Sequence, residues 1–263
     1  PAKALPLGVI LTLPASGSEM SYSSVITNED GMLKRGYNSL TNVPTFSILN
    51  PEWSFTLPPY QTACGCVDII SHMMERYFTL VDHVELTDRL IAAGIRTVLH
   101  NAPIVMLEPE NYNARAEIMW TGALAHNTFL QTGRVGDWGS HKLEHELSAE
   151  YDIAHGAGLA IILPAWMRYA AQKAPKKLAQ FATDVFDVPA CLGEEQQVAL
   201  EGGARLESFF RALRMPTNLR EAGITNCDYV ALAARALPNA DATTGEYIRM
   251  RREDMVAIYR LAE

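Results

Sequence analysis

From about residue 58 to the C-terminus, apolar residues recur every three or four positions with few breakers between them, the spacing of helices that bury one face. This pattern predicts helices at 59–78, 85–101, 111–132, 139–149, 156–171, 174–186, 194–213, 226–236 and 252–262. Residues 5–57 read differently. Leu5–Pro14 is a short β-like run that ends in the small-residue turn Ala15–Glu19. Ser23–Thr27 and Thr45–Leu49 are strand-like and precede turns at Asn28–Gly31 and Asn50–Pro51. Pro58-Pro59 marks the boundary, because proline is accepted at a helix start and drives the preceding residue to extended geometry. The expected fold class is therefore mainly α with a short N-terminal α/β portion, divided into 1–57 and 58–263.

Composition narrows the class of function. With 263 residues, 48% hydrophobic, the chain can bury a substantial core and is not a disordered segment. Lys and Arg number 22 against 30 Asp and Glu, so a net charge of −8 repels a phosphate backbone and nucleic acid is not an expected partner. Cys64, Cys66, Cys191 and Cys227 are too few and too scattered for a disulfide framework, and a cytoplasmic location is expected. The apolar run Ala157–Trp166 is about half the roughly 20 residues a bilayer span requires, so no membrane association is expected. Pro1–Ala4 has no initiator Met and no apolar leader, and reads as the continuation of a longer protein.

Candidate chemistry concentrates in histidines. Asp68 and His72 stand four apart on the first long helix, which puts a carboxylate and an imidazole on one face. His141 and His145 share a face in Gly139–Leu147, and His155 follows at the head of a Gly-rich apolar helix. Neutral imidazoles with one carboxylate suit Zn or Fe(II). The spacing does not say which three or four of the five residues ligate. His83, His100 and His126 read as ordinary surface or core histidines. Glu144 and Glu146 flank His145 without forming H-E-x-x-H, which disfavours a metallohydrolase. The turn Pro14–Glu19 matches neither the P-loop nor the dinucleotide fingerprint.

Several of these segments occur together in the order of one family. Leu11–Met20, Asn50-Pro51-Glu52 with Leu57-Pro58-Pro59, Gly65–His72, Gly136-Asp137-Trp138 through His145-Glu146-Leu147, and Ala154-His155-Gly156 resemble the iron-containing (group III) alcohol dehydrogenases, most closely the butanol dehydrogenase branch. The resemblance implies a dehydroquinate synthase-like fold in which 58–263 is the helical metal-binding catalytic domain. Residues 1–57 would then be the end of an α/β nucleotide-binding domain whose glycine-rich pyrophosphate turn lies outside this chain. It implies one divalent ion, Fe2+ or Zn2+, on Asp68, His72, His141 and His155, with His145 as an additional active-site histidine. It places Thr12, Leu13, Pro14, Ser16, Ser21 and Lys34 on the side of NAD(H) or NADP(H). The implied activity is hydride transfer between that cofactor and a primary alcohol or aldehyde, in a homodimer. A glycerol or polyol dehydrogenase of the same superfamily, or a non-catalytic metal-binding helical domain, is the alternative.

Overall fold

The computed structural model describes residues 3–263, so the reading of Pro1–Ala4 falls partly outside it. Strand β1 (Gly8–Leu11) pairs in parallel with β4 (Phe46–Leu49), Gly8 opposite Phe46 and Leu11 opposite Leu49. Between them in sequence, β2 (Ser23–Asn28) and β3 (Leu33–Asn38) form an antiparallel hairpin around the expected turn. The sequence reading did not include β3. Its residues, Leu33-Lys34-Arg35-Gly36-Tyr37-Asn38, lack apolar alternation because neither face of this ribbon is buried.

Nine helices follow among the described residues, close to where the periodicity puts them. They are α1 (Pro59–Tyr77), α2 (Glu85–Leu107), α3 (Tyr112–Ala125), α4 (Gly139–Tyr151), α5 (His155–Lys173), α6 (Pro175–Phe186), α7 (Glu195–Ala212), α8 (Tyr229–Ala236) and α9 (Arg252–Leu261). Helix α5 is apolar on all sides and buried from Gly156 to Met167, and α1, α4, α6, α7 and α9 pack around it. Contact between α1 and α5 is backbone to side-chain-free backbone: a Cβ at Gly156 would run into the Cys64 carbonyl. Gly65 in turn makes room for the Pro14 carbonyl, which seats the N-terminal segment on α1.

Three boundaries differ from expectation. Helix α2 runs through Pro103 to Leu107 rather than stopping at 101, since Ala102 and Val105 continue its buried stripe. By length and composition α2 is apolar enough to cross a membrane, with a mean hydropathy of 1.5, which the expectation of no membrane helix had not counted. Its Ile91, Ile95 and Val98 are fully buried and it packs on α1, α3 and α6, while Leu86, Leu90 and Leu107 on the same helix are exposed. Helix α3 ends at Ala125 instead of 132, because Asn127 turns the chain: its side chain donates to the Ala123 carbonyl (2.8 Å) and accepts from Phe129 N–H (2.7 Å). Helix α8 begins at Tyr229, where the Asp228 carboxylate caps the Val230 and Ala231 amides.

Candidate metal centre

Helix α1 presents Asp68 and His72 on the face that meets α4 and α5, and both are buried. The first turn of α4 adds His141, and its next turn adds His145. His155 opens α5, directly after a tight connection in which Asp152 adopts φ 52°. The potential ligand atoms of Asp68, His72 and His141 lie within 4.8 Å of one another, and those of Glu144, His145 and His155 form an adjoining group. Both groups meet at one carboxylate oxygen. Asp68 Oδ1 is 3.6 Å from His72 Nδ1, 3.9 Å from His141 Nε2 and 3.5 Å from His155 Nε2.

Asp68 Oδ1, His72 Nδ1 and His141 Nε2 are buried and have no hydrogen-bond partner among the described residues. Buried polar atoms are almost always partnered, so three such atoms converging on one point fit a bound cation. Outer-sphere contacts point the same way. His141 Nδ1 meets Glu75 Oε1 at 2.8 Å, and His155 Nδ1 meets Glu144 Oε2. In each case the Nε2 atom is left facing Asp68, the arrangement that orients metal-binding imidazoles. Glu75 also accepts from Ser140 Oγ (2.6 Å), His141 N–H (3.0 Å) and Trp138 N–H (2.5 Å), so a carboxylate from α1 caps the start of α4. The residue at the helix head, Trp138, sits at φ 61° and supplies no side-chain cap of its own.

Charge follows burial. Desolvation, reinforced by neighbouring imidazoles, holds His72 and His141 far below the usual histidine range, so both are neutral. Burial and the nearby His141 pull His145 down to about 2. Burial also lifts Asp68 to about 6, against the opposing pull of His155. His155 goes the other way: burial lowers it, but Glu144 and Asp68 together outweigh that and raise it.

The structure corrects one assignment. His126, read as an ordinary histidine, lies against the cluster with its ring 4.1 Å from that of His72 and 5.7 Å from that of Trp138. The early stop of α3 puts it there. His83 and His100 are exposed and remote from these contacts. Glu75 and Glu144 were not anticipated as partners; the available signal was a carboxylate three residues after a candidate ligand on each helix, His72 and His141.

On the N-terminal side, Lys34 reaches the cluster: Nζ donates to Ser148 Oγ (2.7 Å) on α4, and its charge lowers the nearby His145. Arg35 donates to Glu146 (3.0 Å), which Arg235 also holds (2.7 Å), so the hairpin is pinned to α4. Thr12 and Ser16 are exposed, Leu13 is half-buried, and Pro14 is buried against Gly65 and Gly122. Ser21 is buried, with its hydroxyl accepting from Ser23 N–H (3.0 Å).

Residues 62–262 match the family described as Fe-containing alcohol dehydrogenase family, C-terminal. The probable NADH-dependent butanol dehydrogenase 1 of Bacillus subtilis is 40% identical over 99% of this chain and 67% of its own length. The NADPH-dependent aldehyde reductase YqhD of Escherichia coli is 34% identical over 92% of this chain and 62% of its own. The crystal structure of NADH-dependent butanol dehydrogenase A from Thermotoga maritima superposes with a TM-score of 0.92 at 36% identity, covering 99% of this chain and 66% of that one. The chain thus spans about two thirds of the length of the curated relatives it matches. With the helical fold, the matched family segment and these identities in agreement, the chain belongs to the iron-containing alcohol dehydrogenase family.

Proposed function

We propose that this chain carries the ion-binding and substrate-handling part of an NAD(P)-dependent oxidoreductase that interconverts a primary alcohol and its aldehyde, with Asp68, His72, His141 and His155 as the ion's ligands. The supporting observation is the convergence of unpartnered buried acceptors on one point between α1, α4 and α5. A divalent ion held there supplies Lewis acidity toward an alcohol or aldehyde oxygen. Fe2+ is the ion proposed, with Zn2+ accepted by the same three nitrogens and one oxygen. The butanol-like substrate class rests on what the relatives are named for.

The chain's own residues do the remaining work. His145, neutral and half-buried beside His155, takes a hydrogen bond from the reacting hydroxyl and passes the proton outward. Trp138 and His126 close one side against water. Lys34 holds positive charge at the edge of the cluster, where the ribose and nicotinamide of the cofactor would lie, with Thr12, Leu13, Pro14, Ser16 and Ser21 lining the approach. In this reading residues 1–57 end a nucleotide-binding domain, residues 58–263 form the catalytic domain, and the protein is a cytoplasmic homodimer. Light scattering checks the last point, with the mass of two chains as the expected value.

Elemental analysis of protein purified anaerobically should give about one Fe or Zn per chain. In an enzyme that also carries the rest of the nucleotide-binding domain, NADH-dependent reduction of butanal should need that ion and disappear on chelation. A folded chain that holds no ion after incubation with either metal contradicts the proposal.

Uptake should also depend on pH. Ligands bind deprotonated, so the protons released come from Asp68, lifted to about 6, and from His155, raised by its carboxylate neighbours; His72 and His141 have none to give. Apparent affinity should therefore climb as pH rises through about 6, where Asp68 ionises, and keep climbing above the ordinary histidine range, where the raised His155 gives up its proton. Calorimetry in buffers of different ionisation enthalpy reads the proton count, and an affinity constant across both steps is incompatible with this ligand set.

A further inference from the structure

Glu144 has a fully buried carboxylate that no arginine or lysine among the described residues touches. Oε2 accepts from His155 Nδ1, and Oε1 is buried with no partner. A buried carboxylate with one oxygen left unpartnered is costly to a fold, so its place here needs a compensating role. Helix α5 is built around it. Gly158 faces Glu144, and a Cβ there would approach to 2.8 Å of Glu144 Cγ and 3.0 Å of Cδ. A side chain at 158 would force Glu144 or helix α5 to shift.

His155 is the candidate ligand that most needs holding. Asp68, His72 and His141 project from within helices and are almost wholly buried. His155 is the first residue of its helix, follows the turn at Asp152, and keeps 27% of its side chain exposed. Among the described residues nothing else hydrogen-bonds its ring.

We propose that Glu144 is a positioning residue for the fourth ligand: by accepting the Nδ1 proton it fixes the His155 tautomer and aims Nε2 at the point where Asp68, His72 and His141 converge. This rests on the metal-site reading given above. It makes His155 the ligand whose hold on the ion is set from outside the coordination sphere. The Glu75–His141 contact has the same geometry, but Glu75 also caps α4, whereas Glu144 has no second partner to serve.

The test compares the wild-type chain with Glu144→Ala, Glu144→Gln and His141→Ala by chelator competition with Zn2+, the visible spectrum of the Co2+-loaded protein, and thermal melting without metal. Glu144→Ala should weaken Zn2+ binding about 10–100-fold, and change the Co2+ ligand-field bands. Glu144→Gln, whose amide oxygen still accepts, should fall between. Melting of the metal-free protein should change little, because removing the buried, unpartnered Oε1 offsets the loss of the hydrogen bond to His155 Nδ1. A Glu144→Ala chain that binds Zn2+ as tightly as wild type overturns the assignment. So does a lowered metal-free melting temperature with unchanged spectrum, which is what a purely structural role would give. A second Zn2+ per chain that Glu144→Ala abolishes also overturns it, because Glu144 would then be a ligand of its own site beside His145. Failure of the metal-site reading is distinct: wild type and His141→Ala would then be equally unable to hold Zn2+.

Discussion

His141→Ala should cost at least ~100-fold in ion affinity, beyond what loss of an outer-sphere partner costs, and butanal reduction should fall with it. His141 supplies one of the three buried atoms that converge on one point without partners among the described residues. The imidazole is neutral at working pH, so no charge is lost and the effect is that of the ligand itself. Chelator competition reads the affinity directly, and circular dichroism separates loss of the site from loss of the fold. Retained tight binding of one ion per chain would mean that His145 or His126 completes the set instead.

Glu75→Ala should destabilise the chain by about 3–5 kcal/mol, because it takes the acceptor away from several buried donors at once. Four donors converge on that carboxylate: the Trp138 and His141 amides, the Ser140 hydroxyl and the His141 ring. Each buried donor left bare costs about 1–3 kcal/mol. Helix α4 has no side-chain cap of its own, so its first turn would lose both its hydrogen bonds and the negative charge at its positive end. Denaturant unfolding of the metal-free chain measures this, and a change within about 0.5 kcal/mol, ordinary for a surface substitution, would show that Glu75 does not hold α4.

Most of the helical part was legible because long amphipathic or wholly apolar segments leave a periodic trace whatever their partners. Pro58-Pro59 fixed the start of α1, and Asp68 and His72 could be put on one face by spacing alone. Features that depend on contacts between distant segments were not legible. Strand β3 is held by pairing with β2 and by Arg35 reaching Glu146, neither of which leaves an alternating pattern. His126 enters the site only because Asn127 stops α3 seven residues before the periodicity lapses. Glu75 and Glu144 look in sequence like the polar residues of exposed helix faces, and only the packing of α1, α4 and α5 turns them inward. Choosing among the five metal-capable residues needed the family resemblance, since spacing permits several sets.

The candidate ligands come from three helices that touch only in the folded core, at positions 68, 72, 141 and 155. An unfolded or half-made chain cannot bring them together, so an ion that binds there binds the native state alone. Free metal at a thousand times the dissociation constant would then add about 4.1 kcal/mol to folding, comparable to a large share of a typical domain's stability. In the cell, metal supply would therefore govern how much of this protein survives the proteases that clear unfolded chains, and starvation for the ion would lower its abundance before any turnover is counted.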